Sequence, residues 1–339
     1  MKRKFLTTVS ASLLTAAFLL TGGNSDADAQ TTARPITNKY SMKLSQKADG
    51  SYELQKASRY AKLVNLDEVE DLLVPFTLER KRLSSKDYKG VMTKDFIYKE
   101  ENGYSLKITV DFAETDAPAP VVFYLHGGGW ARGTNESNRV LSQYMAKQKG
   151  VTGVRIQYTL APQPGANVNV SIQDVLDAVE YVRAHAEEMN VDPSRIGFVG
   201  NSAGAHLAAA GAMKCKDAKV FVGYSGIYNL ATAAITTRAK DPQRVAYFLD
   251  LDPKVLANAS PVNMISKKHK IAAQLYCGTA DITVEYSQSE EFADKLEAVK
   301  GNKVDLQIYK YYDHNLSSNS SDKMEEIFFK TVDFLSENL

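Results

Sequence analysis

From about Val91 onward, short apolar runs alternate with longer stretches of helical periodicity. Residues 105–112 (Ser-Leu-Lys-Ile-Thr-Val-Asp-Phe) switch between apolar and polar with a period of two, as a half-buried strand does. Residues 121–125 form an unbroken apolar run, the pattern of a strand covered on both faces. Further strands are expected at 154–158, 195–199, 220–224, 272–276 and 304–309. Between them, Ile172, Val175, Leu176, Val179, Val182, Ala186 and Met189 recur at helical spacing behind Ser171 as N-cap, with Asp174 in the N3 place. Tyr286, Ser289, Phe292, Ala293 and Leu296 mark a second helix that stops near Gly301, and Met324, Ile327, Phe328, Thr331 and Leu335 mark the last. Strands and helices alternating in this way predict an α/β fold with a mostly parallel central sheet flanked by helices.

The first part of the chain has a different texture. Met1-Lys2-Arg3-Lys4 is basic, residues 5–20 carry no charge, and Ala27-Asp28-Ala29 supplies a small-residue cleavage site. This is the order of a secretory signal peptide over residues 1–29, which implies a secreted or periplasmic protein. The uncharged run is 16 residues long, short of the roughly 20 a membrane-spanning helix needs, and no stable membrane insertion is expected once the leader is cleaved. Residues 30–86 read as a polar N-terminal arm or partial lid, in which residues 63–73 form a short amphipathic helix ended by Pro75. The catalytic domain is expected over 87–339.

Composition narrows the function classes. The chain of 339 residues is 44% apolar and 24% charged, with 41 Lys+Arg against 40 Asp+Glu. The apolar fraction suffices for a core, and the charge balance leaves no global basic excess to drive nucleic-acid binding. The expected leader holds one more basic than acidic residue, so the remainder is neutral overall. The two cysteines, Cys215 and Cys277, fall at opposite ends of the expected strands, about 17–20 Å apart along a strand, and so are expected as free thiols.

In a parallel sheet, chemistry gathers at the carboxyl ends of the strands. The strand at 195–199 runs into Gly200-Asn201-Ser202-Ala203-Gly204 and then an alanine-rich helix. This is G-x-S-x-G in a strand–turn–helix setting, where a sharp turn lifts the serine out of the sheet and the helix N-terminus faces a developing oxyanion. The strand at 121–125 ends in His126-Gly127-Gly128-Gly129-Trp130. Here the bare N–H groups of Gly128 and Gly129, with that of Ala203, are expected to form an oxyanion hole, and Trp130 is expected to pack and orient the loop.

A serine nucleophile needs a base, and there are five histidines. His126 opens the glycine loop, His185 lies on a surface helix, His206 sits one turn beyond Ser202 and points away, and His269 precedes its strand. His314 alone follows a strand end at the correct pole and is taken as the base. Asp281, after the strand at 272–276, is the acid that orients it. Asp313 is the rival, but neighbours in an extended segment point to opposite sides. The order Ser202…Asp281…His314 is that of the α/β-hydrolases.

These residues resemble an α/β-hydrolase of the hormone-sensitive-lipase-like esterase group. His126 to Trp130, Tyr158-Thr159-Leu160-Ala161-Pro162, Gly200 to Gly204 and Gly278-Thr279-Ala280-Asp281 match in order, from about residue 90 to the C-terminus. Where many members of that group carry an aspartate, this chain has Asn201, and Ala205-His206 replaces a glycine-asparagine pair. The Ala-His-Leu-Ala form is similar to exported acetyl or feruloyl esterases acting on plant polysaccharides and to kynurenine formamidases, and the expected leader argues against the latter, whose substrate is intracellular. The resemblance implies ester hydrolysis through an acyl-enzyme on Ser202, a small-molecule or oligosaccharide ester as substrate, and no metal or organic cofactor.

Two other readings remain open. A prolyl-oligopeptidase-type peptidase uses the same triad order, although residues 30–86 are too few for its propeller. A non-catalytic binding protein on the same fold is the other. Residues 227–257 are long enough for a small lid, with Val245, Ala246, Phe248 and Leu249 over a pocket. Tyr224, Tyr228, Tyr309, Tyr311 and Tyr312 either line a rim for sugar or aryl groups or sit half-buried as ordinary packing aromatics.

Overall fold

A computed structural model describes residues 42–46, 52–56, 82–101, 103–267, 270–316 and 321–339. The leader at 1–29, the amphipathic segment at 63–73 and His269 lie outside the described residues. The chain divides into two compact units. One comprises Met1–Arg82 and Ser317–Glu326, and in it β1 (Met42–Gln46) and β2 (Tyr52–Lys56) pair as an antiparallel ladder.

The other unit, Leu83–Leu316 with Ile327–Leu339, is built on an eight-stranded sheet. Its strands are β3 (Thr93–Glu101), β4 (Tyr104–Asp111), β5 (Ala119–Leu125), β6 (Thr152–Ile156), β7 (Val191–Asn201), β8 (Ala218–Tyr224), β9 (Ala272–Gly278) and β10 (Lys303–Tyr309). Their order across the sheet is β10-β9-β8-β7-β5-β6-β4-β3. The run from β10 to β6 is parallel throughout, while β4 and β3 close one edge as an antiparallel pair. Chain order reverses at β5, which lies between β6 and β7, and this is where the crevice of an open α/β sheet forms.

The helices are α1 (Arg139–Lys149), α2 (Val168–Ala184), α3 (Ala203–Lys214), three short ones, α4 (Ala234–Thr237), α5 (Pro242–Tyr247) and α6 (Pro253–Asn258), then α7 (Ser287–Glu297) and α8 (Ser321–Asn338). Successive strand side chains point to opposite faces, and both faces are covered. Val121, Phe123, Leu125, Phe198 and Phe221 pack with Val175 and Val179 of α2, Leu207 of α3 and Phe292 of α7. On the other face Val122, Tyr124, Val199, Val220 and Val222 pack with Leu141 and Met145 of α1 and Val332 and Leu335 of α8. That double coverage is why the parallel strands read as continuous apolar runs. Among the described residues no helix is long and apolar enough to cross a membrane.

Two local expectations need correction. The helix expected behind Ser171 begins a turn earlier, capped by Asn167, whose side-chain oxygen accepts the N–H groups of Asn169 and Val170. Ser171 lies inside the helix, where its Oγ donates to the Thr159 carbonyl at 2.7 Å. Asp174 is fully buried and accepts the Thr159 N–H at 2.8 Å together with the Lys99 ammonium, so it fastens the β6–α2 connection instead of capping a helix. The two cysteines are free and buried, with Cys215 closing α3 ahead of β8 and Cys277 the penultimate residue of strand β9.

Candidate active site

The turn from β7 into α3 carries Ser202 at φ 54°, ψ −125°, a backbone conformation that a non-glycine residue adopts only when its surroundings enforce it. The enforcement is visible at the flanking glycines. A Cβ on Gly200 would lie 2.3 Å from the Gly204 carbonyl oxygen, and one on Gly204 would lie 2.3 Å from that of Leu125. Only glycine permits both approaches. The Ser202 N–H donates to the Tyr224 carbonyl at 2.8 Å, extending the β7–β8 ladder to the tip of the turn.

Ser202 Oγ lies 2.8 Å from His314 Nε2, and His314 Nδ1 lies 2.7 Å from Asp281 Oδ2. A carboxylate only accepts, so Nδ1 carries the proton toward Asp281 and Nε2 is left to accept from the serine hydroxyl. The other Asp281 oxygen accepts the N–H groups of Thr283 and Val284 at 2.8 and 2.9 Å, and the carboxylate is almost wholly buried. Asp313, the rival acid, turns instead to its own loop and accepts the Asn315 N–H. The three residues singled out in the sequence are thus brought into one hydrogen-bonded line.

The glycine loop after β5 stands beside the elbow, because Leu125 and Gly200 are register partners. Gly128 and Gly129 have φ of 120° and 62°, and a Cβ on Gly128 would fall 2.0 Å from the Arg132 carbonyl oxygen. Ala203 is the first residue of α3, where an N–H has no acceptor in the preceding turn. Asn201 ties the two loops together: its Oδ1 accepts the Gly127 N–H at 3.1 Å. This is a positioning role that the sequence showed only as a departure from the common aspartate.

The remaining described histidines are occupied elsewhere. His126 is buried, its Nδ1–H donates to the Gly127 carbonyl at 2.8 Å, its ring stacks on Tyr158, and burial holds its pKa below the usual value. His206 is fully buried. The Trp130 indole N–H donates to its Nδ1 at 3.2 Å, so its Nε2 carries the proton and donates to the Ala259 carbonyl at 2.8 Å. Burial pushes its pKa down to about 4, and the ring stays neutral at physiological pH. Trp130 is itself fully buried and meets Phe248 edge-on at 5.0 Å, as its expected packing role requires. His185 stacks on Tyr181 at the end of α2. Burial also pushes the Cys277 thiol up to about 12, which keeps it protonated and unfit as a rival nucleophile.

Tyr158, at the head of its motif, donates to the His126 carbonyl at 2.8 Å, and Ala161 N–H donates to that of Trp130 at the same distance. The motif therefore shapes the back of the glycine loop. Two of the tyrosines proposed for a rim are packing residues: Tyr228 is fully buried and stacked on Phe292, and Tyr224 stacks on Tyr276. Among the described residues no group of three or more His, Cys, Asp or Glu side chains is arranged to hold a metal ion.

The family model BD-FAE matches residues 108–296, more than half of the chain and the stretch from β4 to α7. The chain belongs to the BD-FAE family. Among solved structures, a thermophilic esterase from the Planctomycetes species Thermogutta terrifontis with propionate bound is 22% identical, with a TM-score of 0.60 over 74% of this chain and 93% of that one. Esterase 2 of Thermogutta terrifontis phosphoramylated by tabun is 23% identical, with a TM-score of 0.61 over 74% and 95%. An acetyl ester-xyloside bifunctional hydrolase from Caldicellulosiruptor lactoaceticus is 20% identical, with a TM-score of 0.58 over 71% and 97%. At such identities the likeness is one of fold. This BD-FAE member has the α/β-hydrolase fold of the hormone-sensitive-lipase-like group, as its four motifs implied.

Proposed function

We propose that the protein is an exported serine carboxylesterase that hydrolyses short-chain or aryl esters, specifically acetyl or feruloyl groups on plant polysaccharides. The observation that carries this reading is the line Ser202 Oγ–His314–Asp281, with contacts of 2.8 and 2.7 Å. Ser202 attacks the ester carbonyl while His314 takes its proton and later returns it to the departing alcohol. Asp281 holds the imidazole in the required tautomer and offsets its positive charge. The N–H groups of Gly128, Gly129 and Ala203 receive the oxyanion, and water then releases the acyl group from Ser202. Support for short acyl groups comes from the fold relatives: one holds propionate and another is an acetyl ester-xyloside hydrolase. Support for export comes from the basic, apolar and small-residue order of residues 1–29.

The test is hydrolysis of 4-nitrophenyl acetate by the wild type and Ser202→Ala. Turnover should fall by about 10⁴-fold or more in the variant. Equal turnover by the two proteins would show that Ser202 is not the nucleophile. Acetylated xylan, methyl ferulate and a proline-containing peptide then rank the acyl and alcohol preferences, and hydrolysis of the peptide alone would favour the peptidase.

A further inference from the structure

The connection between β8 and β9 lays a cation against the glycine loop. A Cβ built on Gly129 would lie 3.4 Å from Arg244 Nη2. By covalent geometry the guanidinium is then within about 6 Å of the Gly129 nitrogen, the group that faces the reacting carbonyl. The placement is built into the fold. Arg244 belongs to α5, whose last residue, Tyr247, donates its hydroxyl to Ser171 Oγ at 2.8 Å, and whose C-cap, Phe248, packs edge-on against Trp130 of the same glycine loop.

Arg244 is half-buried, yet among the described residues it makes no hydrogen bond or ion pair. The acid nearest to it in sequence, Asp241, is engaged as the N-cap of α5 and accepts the Gln243 N–H. Arg132, just beyond the glycine loop in the chain, is exposed, with its Cγ 3.2 Å from the Cβ position of Gly128, and it too has no carboxylate partner among the described residues. The contrast with Arg155 is instructive. That residue is buried, and its guanidinium is neutralised by Asp111 at 2.8 Å and Glu136 at 2.6 Å. The two arginines beside the glycine loop are left to find an anion elsewhere, and a planar guanidinium pairs best with a carboxylate.

We infer, building on the ester-hydrolase reading above, that Arg244 and Arg132 form a carboxylate-recognition subsite, and that the preferred esters carry an ionised carboxylate within a few bonds of the scissile carbonyl. A uronic acid beside an esterified hydroxyl meets this requirement, as does an acyl chain ending in a carboxylate. The neutral charge of the chain beyond its expected leader is no obstacle, because recognition at this range is set by the two local cations and not by the summed charge.

Matched free acids and methyl esters test the inference. Mono-4-nitrophenyl glutarate against its methyl ester places the carboxylate on the acyl side, and 4-acetoxybenzoate against methyl 4-acetoxybenzoate places it on the alcohol side. In at least one pair the wild type should favour the free acid in kcat/KM by about tenfold or more at low salt, with the preference shrinking as salt is added. Arg244→Gln should bring that ratio close to one, and Arg244→Lys, which keeps the charge, should retain part of it. A ratio at or below one in both wild-type pairs, or an unchanged ratio in Arg244→Gln, overturns the subsite while leaving the esterase intact. Failure to hydrolyse any of the four esters overturns the ester-hydrolase reading and the subsite with it.

Discussion

Ser202 and the glycine loop stand on β7 and β5 at the centre of the sheet, whereas Asp281 and His314 follow β9 and β10 at its parallel edge. The central pair is fixed by steric necessity. Its strands are buried on both faces, its turns bring backbone atoms to distances that only glycine allows, and the loop is held by Asn201, Tyr158 and Trp130. The edge pair has one such close approach, at Gly278, where a Cβ would lie 2.2 Å from the Tyr312 carbonyl oxygen, and is otherwise fixed by hydrogen bonds. Strand β10 is only half-buried, and Asp281 is placed by two backbone N–H groups and by His314. The difference assigns different jobs to the two regions. In the proposed mechanism the centre must keep a strained serine and a set of N–H donors rigid, because electrostatic stabilisation depends on donors that do not reorganise. The edge has to orient a single ring, for which a few directed bonds suffice.

The two regions should part most widely at Asp281. In Asp281→Asn the amide oxygen can still accept the Thr283 and Val284 N–H groups, so the loop should keep its shape, but the histidine loses its carboxylate. We expect kcat to drop by about 10⁴-fold, with a thermal midpoint within a few degrees of the wild type. Retention of activity within tenfold would mean that another acid, Asp313 foremost, serves His314. The central region should respond in the opposite way. Gly204→Ala drives a methyl group to 2.3 and 2.4 Å from the carbonyl oxygens of Leu125 and His126. Overpacking against backbone cannot relax by a side-chain rotation, so we expect a loss of about 3 kcal/mol or more in stability alongside the loss of activity. Denaturant unfolding measures it, and a variant as stable as the wild type would show that the elbow is less tightly determined than its contacts imply.

The same contrast explains what could be read from the sequence. Strands β5, β7, β8 and β9 are continuous apolar runs because both faces are buried, and glycines mark the turns where backbones meet, so the fold and the order Ser202, Asp281, His314 were visible in one dimension. Strand β3 was missed because its residues (Thr-Lys-Asp-Phe-Ile-Tyr-Lys-Glu-Glu) are charged and mostly exposed at the sheet edge, and α1 was missed for want of a clean apolar period. The false N-cap at Ser171 has a plain cause. Serine followed three residues later by aspartate mimics a capping box, yet both side chains are spent on the neighbouring β6–α2 connection. Arg244 had no signal at all, since its meaning comes from a glycine far away in the chain. Local period and turn chemistry are written in sequence, whereas a contact between a short helix and a distant loop appears only after folding.

The smallest effect, and the most specific probe of the centre, lies at His206. Its pKa is about 4 in the folded protein and near 6.5 once the chain unfolds. Between those values the unfolded chain binds a proton that the folded one refuses, so stability rises with pH across this window and is lost as pH falls from about 6.5 toward about 4. The contribution is at most about 3 kcal/mol and flattens below the folded value. Carboxylates also weaken the protein in acid, and the clean measurement is therefore the difference in unfolding free energy between the wild type and His206→Gln. The glutamine can still accept from Trp130 but has no proton to gain. The pH slope should be shallower in the variant over this window. The chain has one tryptophan, and it is the residue whose indole N–H donates to His206, so selectively excited tryptophan fluorescence reports on the surroundings of this contact. In the wild type the emission should change as His206 Nδ1 gains a proton near pH 4 and stops accepting, and the change should be absent in His206→Gln. Identical slopes and identical fluorescence titrations in the two proteins would place the acid sensitivity of the centre on its carboxylates and remove His206 from the supports of the glycine loop.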